Sequence, residues 1–201
     1  MPLLPWLNEK LLLHLQHVKT IILPMSDNEK KELVRQFGLY LEKFDCLKPK
    51  SRGNYLSWTR HLMKYHNLWD ISTKDDVEAI LYKHKIMMAS PLMEVYKKKD
   101  DYRNFHATLY RFLPFITIWR AEREASKIAT SYNDLIAMIA KQACSEHALT
   151  FYNAIVFKAF REDYIISSQQ KNEMDKALAK FDCKISADKL FMPGSNCYPA
   201  K

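Results

Sequence analysis

The chain contains 201 residues, of which 48% are hydrophobic and 12% aromatic, and this composition excludes an intrinsically disordered protein. Its three glycines, Gly38, Gly53 and Gly194, lie too far apart for a glycine-rich phosphate-binding loop and are too few for a many-turned β-sandwich or barrel. The formal net charge of +8 favours polyanionic partners, because phosphate contacts release counterions.

Residues 1–25 form the first predicted element. Leu7, Leu11 and Leu15 recur at helical spacing, and polar residues interrupt the apolar run between them. We therefore predict an amphipathic helix here, rather than a signal peptide or a membrane-spanning segment.

Start signals predict the next three helices. Ser26 followed by Glu29 has the spacing of a capping box, in which each side chain binds the other residue's backbone amide. Ser51 is the predicted N-cap of the following helix, and Thr73 or Ser72 is the predicted N-cap of the third.

A further helix is predicted from the stripe that Phe105, Leu109 and Phe112 form. Pro114 is expected to end or kink this helix, because it lacks an amide donor and clashes one turn back. The segment 119–124 then predicts a helix whose charges form salt pairs at i, i+4.

The second half of the chain also has helical periodicity. Apolar residues at helical spacing predict helices over 132–144 and 145–160, and Ser167 is the predicted N-cap of a last helix. Because no convincing alternating strand pattern is present, we predict an all-α bundle of seven to nine helices.

The four cysteines, Cys46, Cys144, Cys183 and Cys197, show no C-x-x-C spacing and no evident zinc partners. We therefore expect reduced thiols, a cytoplasmic location and neither a metal nor a cofactor.

A basic segment between Asp45 and Asp70 is the strongest candidate functional site. It contains no acidic residue and five cations, at Lys48, Lys50, Arg52, Arg60 and Lys64. Cations at the start of a helix suit DNA phosphates, and an arginine can also read guanine with two parallel hydrogen bonds. A solvated helix face without a partner is the alternative interpretation.

The order of segments over residues 27–116 resembles the SAM-like core-binding domain of tyrosine recombinases and phage integrases. In that family a helix and a short loop precede a helix with the pattern T/S-x-x-x-Y-L-x-x-L. Ser51, Tyr55 and Leu56 stand near those places, and Thr59 stands where an aliphatic residue is commoner. The segment 108–116 looks like the fourth helix of such domains.

The resemblance implies that the second and fourth helices of this domain face the DNA major groove. Together with the basic segment, it makes double-stranded DNA the expected partner. The candidate DNA-binding residues are Lys48, Lys50, Arg52, Asn54, Ser57, Arg60, Lys64, Lys98, Lys99, Arg103, Asn104 and Arg111.

Three parts of the chain are thus predicted: the helix at 1–25, a SAM-like module at 26–116, and a helical bundle with a tail at 117–201. A recombinase catalytic domain is not expected in the last part. His147 has no arginine three residues later, and Tyr198 lacks an arginine-rich frame. We therefore name no catalytic residue, and the last part is expected to mediate self-association or contact with a partner.

Three functional hypotheses remain open. The first is a non-catalytic DNA-binding protein of the kind found in a phage or mobile element. The second is a protein–protein module, an adaptor or effector, whose basic face meets an acidic partner. The third is a helical enzyme whose site is assembled from scattered residues.

Overall fold

A computed structural model describes residues 25–88 and 99–181, and these residues form an all-α fold, as predicted. The predicted helix before residue 25 and the tail after residue 181 lie outside them. The seven α-helices of this part are α1 (Asp27–Lys43), α2 (Pro49–Leu62), α3 (Lys74–Met88), α4 (Lys99–Ala125), α5 (Tyr132–Ile139), α6 (Ser145–Arg161) and α7 (Ser168–Ala179), with a short 3-10 turn at Leu68–Asp70 between α2 and α3.

The capping signals read from the sequence locate the starts of α1 and α7. The Ser26 hydroxyl accepts the Glu29 amide, and the Glu29 carboxylate accepts the Ser26 amide at 2.8 Å. Ser167 caps α7 in the same reciprocal way, with Gln170 as its partner. Both predictions are confirmed, because a capping box involves only residues three apart in sequence.

The N-cap of α3 is Thr73, one of the two residues that the sequence left open. Its hydroxyl accepts the Asp76 amide at 3.2 Å. The Asp76 carboxylate accepts the amides of both Thr73 and Ser72, at 2.8 and 2.9 Å. These bonds hold the pKa of Asp76 below its ordinary value.

The prediction that Ser51 caps α2 is wrong. The helix begins at Pro49, and Lys48 is the N-cap residue without a side-chain cap. Proline is favoured at the first helical position, since its fixed φ suits the helix and its missing amide would be unpaired there. Ser51 therefore lies inside the first turn.

The helix α4 is 27 residues long and continues through Pro114. Pro114 is exposed, while Phe112, Phe115 and Ile116 around it are fully buried. Burial of these side chains outweighs the missing backbone hydrogen bond. The helix consequently crosses residue 116, where the sequence places a boundary between two parts.

The prediction of i, i+4 salt pairs in 119–124 is wrong, because Arg120, four residues before Glu124, donates instead to the Ile71 carbonyl at 2.8 Å. Another acid of this segment, Glu122, is buried. This residue is 3% exposed, and its carboxylate accepts two hydrogen bonds of 2.8 Å from Arg161 on α6. Glu124, two positions along, is exposed and pairs with Lys127 at 2.6 Å. The buried face of α4 thus contains an acid that the local sequence suggests is solvated.

The larger hydrophobic core is formed by α1–α4 and one side of α6, with Ala154 and Phe157. The rings of Phe37 and Phe112 meet edge to face with centroids 5.2 Å apart. Phe157 of α6 contacts Phe115 of α4, with centroids 6.1 Å apart. This core fixes α2 between α1 on one side and α4 on the other.

A second core joins the end of α4 to α5, α6 and α7, and includes Ile139, Tyr152 and Leu178. Phe44 packs against both cores, since its ring lies 6.0 Å from that of Phe157 and 5.8 Å from that of Phe160. The two cores are therefore continuous.

Two further expectations concern cysteines and membranes. Cys144 is a free, exposed thiol, whereas Cys46 is disulfide-bonded, so the prediction of reduced thiols is wrong for Cys46. Within residues 25–88 and 99–181, none of the helices combines the length and the apolar character required to cross a bilayer.

Candidate nucleic-acid interface

One side of α2 and the turn after it carry five of the predicted DNA-binding residues. These exposed residues, called the α2 solvent face below, are Lys50, Asn54, Ser57, Arg60 and Lys64. The opposite side of the helix buries Thr59 and Leu62 in the first core. The 3.6-residue period of the helix brings the five polar side chains together on the outside.

Two of the predicted arginines have carboxylate partners within the fold. Arg52 forms an ion pair with Glu42 of α1. Arg111 of α4 pairs with Asp45 at 2.6 Å, and its guanidinium lies 5.2 Å from the centroid of the Tyr55 ring. These pairs hold α1, α2 and α4 together, and they offset the two positive charges locally.

The remaining predicted residues do not join the α2 solvent face as a group. Lys48 is exposed at the start of α2. Arg103 is exposed on α4, two residues from the buried Phe105 and thus on the outer side of that helix. Asn104 is half-buried, and its carbonyl accepts the Thr108 hydroxyl at 2.7 Å.

Lys99 is the first residue of α4, and its side chain lies outside the described residues, as does the whole of Lys98. Neither residue can therefore be placed on a surface shared with α2.

Cations from α1 lie beside the α2 solvent face. The two helices run antiparallel, because Gly38 lies beside Leu56 and Glu42 reaches Arg52. A groove of about 550 Å³ separates their outer edges. Its rim carries five cations and one acid, at Lys30, Lys31, Arg35, Arg60, Lys64 and Asp27. We call this site the basic groove.

The floor of the basic groove is apolar. Val34 of α1 is 5% exposed, and Leu56 and Met63 of α2 are partly buried against the first core. Gly38 permits the close approach of the helices, since a Cβ atom at this position would lie 3.3 Å from Leu56 Cδ1. The floor is thus fixed by packing of the two helices.

The cations of the rim differ in their pairing. Lys30 lies 3.5 Å from Asp27, and Arg35 forms two hydrogen bonds of 2.7 and 2.8 Å with Glu32. Those bonds from Arg35 lower the pKa of Glu32 to about 2.

The other three rim cations are Lys31, Arg60 and Lys64. No carboxylate among the described residues lies within 4.0 Å of them. Three positive charges are thus available to an external anion.

The α1 side of this groove is not among the residues predicted from the sequence. Lys31 and Arg35 are exposed on the side of α1 away from its buried stripe, as helical periodicity predicts, and Lys30 is half-exposed one turn before the buried Leu33 and Val34. Their position beside Arg60 and Lys64 depends on how α1 and α2 pack, and no local pattern in either helix contains that information.

A cluster of three histidines lies on the other side of α2. His84 of α3 is 1% exposed, and its Nδ1 atom lies 2.9 Å from Nε2 of His66. The His61 ring stacks on Phe105 with centroids 5.3 Å apart. Within the described chain, no three ligand-type side chains are arranged to hold a metal ion.

Burial, together with the positive charge that His66 and His61 can carry, lowers the pKa of His84 to about 4. Burial also lowers the pKa of His66. His84 and His66 are therefore neutral near pH 7, and the cluster belongs to the packing between α2, α3 and α4.

Comparisons with protein-family models, with curated proteins and with solved structures gave no match to this chain. The geometry and charge of the groove are therefore the features from which a function can be inferred.

Proposed function

We propose that the protein binds double-stranded DNA, without catalysis, through the α2 solvent face and the cations on the rim of the basic groove. The observation that carries this proposal is the placement of Lys31 on α1, Arg60 on α2 and Lys64 in the turn after it around one groove, with no carboxylate partner among the described residues. Exposed cations held in one place by a rigid scaffold are suited to successive phosphates of a backbone.

The same face offers groups that can contact base edges. Arg60 can donate two parallel hydrogen bonds to guanine, and the Asn54 amide can pair with adenine. Both side chains are exposed on α2. The resemblance to the SAM-like core-binding domain supports α2 as the reading helix and remains a prediction, as does the cytoplasmic location.

The salt dependence of binding tests the proposal. Contacts from Lys31, Lys50, Arg60 and Lys64 would release about four counterions, so the slope of log K against log salt is expected to be about −3 to −4. Affinity for a fluorescent duplex of about 20 base pairs would then fall about 100-fold between about 50 and 200 mM salt.

Matched variants test whether DNA binds to this defined surface or only responds to the positive net charge of the protein. Arg60→Ala and Lys64→Ala should each weaken binding and reduce the slope by about one. Lys171→Ala removes an exposed lysine from α7 and should leave both quantities unchanged. Absence of duplex binding at about 50 mM salt, or an equal effect of all three substitutions, would contradict the proposal.

A further inference from the structure

The floor of the basic groove is not accounted for by DNA binding. A phosphate backbone uses the charged rim, whereas the partly exposed side chains of Leu56 and Met63 present apolar surface between the cations, above the buried Val34. Apolar surface that stays in contact with water costs free energy in proportion to its area. A partner that covers this floor would gain that free energy in addition to the charge interactions.

We propose that the basic groove binds an acidic amphipathic helix of a partner protein. Helix-in-groove recognition places the apolar residues of one helical face on a hydrophobic floor. The carboxylates beside that face would meet Lys31, Arg60 and Lys64 on the rim. This interaction goes beyond the proposed DNA binding and does not depend on it.

The dimensions of the groove fit about two turns of helix. Its α1 wall extends from Asp27 to Arg35 and its α2 wall from Leu56 to Lys64. At a rise of 1.5 Å per residue each wall is about 12 Å long. Three apolar side chains at positions i, i+4 and i+7 of the bound helix would cover this length.

The charge of the rim selects an acidic partner over a basic one. Five cations stand against one acid, and that acid, Asp27, already lies 3.5 Å from Lys30. A basic amphipathic helix would place its cations next to the cations of the rim, and the repulsion between these like charges would weaken binding. The groove thus favours partners rich in glutamate or aspartate.

The experiment uses two synthetic peptides with the same composition and charge. In the first, of about 14 residues, leucines at i, i+4, i+7 and i+11 form one face and glutamates flank it. In the second, the leucines are distributed around the helix. Fluorescence anisotropy with the full chain is expected to show at least about tenfold tighter binding of the first peptide, because only its leucines can cover the apolar floor together. This ratio corresponds to about 1.4 kcal/mol of binding free energy.

Substitution of the floor provides the specific test. Met63→Gln keeps the charge of the rim but makes the floor polar, and it should weaken binding of the amphipathic peptide at least fivefold. Met63→Leu keeps the floor apolar and should retain binding. Far-UV circular dichroism and thermal unfolding of both variants establish that they fold.

The outcomes separate this interaction from its competitors. Equal binding of both peptides, or unchanged binding by Met63→Gln, would show that only net charge is recognised and would overturn the proposal. Binding to vesicles that contain phosphatidylserine, without binding of the amphipathic peptide, would overturn it in favour of a lipid surface.

DNA binding is measured on the same variants. Met63→Gln should leave duplex affinity unchanged, because the phosphate backbone does not need the floor. Loss of duplex binding with intact peptide binding would defeat the DNA proposal alone, and the reverse result would defeat the helix proposal alone.

Discussion

At the scale of single residues, the buried carboxylate of Glu122 is expected to contribute strongly to stability. It is 3% exposed and accepts both hydrogen bonds of the Arg161 guanidinium, and Lys158 lies 3.9 Å away. Glu122→Gln would leave a half-buried guanidinium without its bidentate partner. We expect a loss of about 3 kcal/mol in the free energy of unfolding, measured by urea denaturation.

Glu124 supplies the control for this prediction. It lies on the same helix, its side chain is 71% exposed, and it pairs only with Lys127 among the described residues. Glu124→Gln should change the stability by less than about 0.5 kcal/mol, because exposed pairs contribute little. Equal effects of the two substitutions would refute the assignment of Glu122 as the critical acid.

The histidine cluster predicts an acid-sensitive stability. The pKa of His84 is lowered from about 6.5 to about 4 in the folded protein, so the unfolded chain binds the proton first as pH falls. The stabilisation is present above pH 6.5 and is lost progressively towards pH 4. A tenfold difference in proton affinity between the folded and unfolded chains corresponds to about 1.4 kcal/mol, so the expected loss of stability is about 3 kcal/mol.

His84→Gln tests the origin of this loss, since an amide can still contact His66 but does not titrate. Denaturation curves at several pH values should show a smaller decline for this variant than for the unchanged protein between pH 6.5 and 4. Parallel declines in both proteins would assign the pH dependence to other groups.

Some single-residue features could be predicted from the sequence and others could not. The N-caps Ser26 and Ser167 were predictable because a capping box is complete within four consecutive residues. Glu122 was misread because its partner Arg161 is 39 positions away. An acid among other charges has the same local signature whether it is solvated or buried.

At the scale of elements, Gly53 weakens α2. It lies inside the helix, is exposed, and an added Cβ atom would meet nothing within 4 Å. Gly53→Ala is therefore expected to raise the free energy of unfolding by about 0.5–1 kcal/mol, because alanine loses less backbone entropy in a helix. Thermal and urea denaturation measure the gain.

Gly38→Ala is the matched comparison in α1. A Cβ atom there would lie 3.3 Å from Leu56 Cδ1, so the neighbouring side chain has to move and the gain should be smaller. A larger gain at Gly38 than at Gly53 would contradict this account of the contact between α1 and α2.

The order and type of the helices were predictable, because apolar residues recur with a helical period throughout the described chain. Two boundaries were not. Pro114 does not end α4, since buried aromatic residues on both sides hold the helix together. Helix α5 ends at Ile139, before the predicted end at residue 144.

At the scale of the whole molecule, the continuity of the two cores predicts a single unfolding transition. Trp58 and Trp69 pack against the first core and Trp119 lies within it, whereas far-UV circular dichroism reports all helices. The urea midpoints from fluorescence and from circular dichroism should coincide. Two separate transitions would show that the parts before and after residue 116 fold independently.

Only the α2 part of the candidate site could be predicted from the sequence. The cations of α2, including Arg60 and Lys64, were recognised because an acid-free basic run stands out in a sequence. The contribution of Lys31 was not, since it depends on antiparallel packing of α1 against α2. Packing also explains why Arg52 and Arg111, which look equivalent to Arg60 in the sequence, are paired with carboxylates.

The unbroken length of α4 has a consequence for how such a chain can diverge. One part of this helix packs in the first core, with Phe112, and its end packs in the second core, with Ala125. A recombination point inside Lys99–Ala125 would therefore join two helix segments that had been selected to pack against different neighbouring side chains. Chimeras between related chains should therefore fold when all of α4 comes from one parent, and should fail to fold when the exchange point lies within α4.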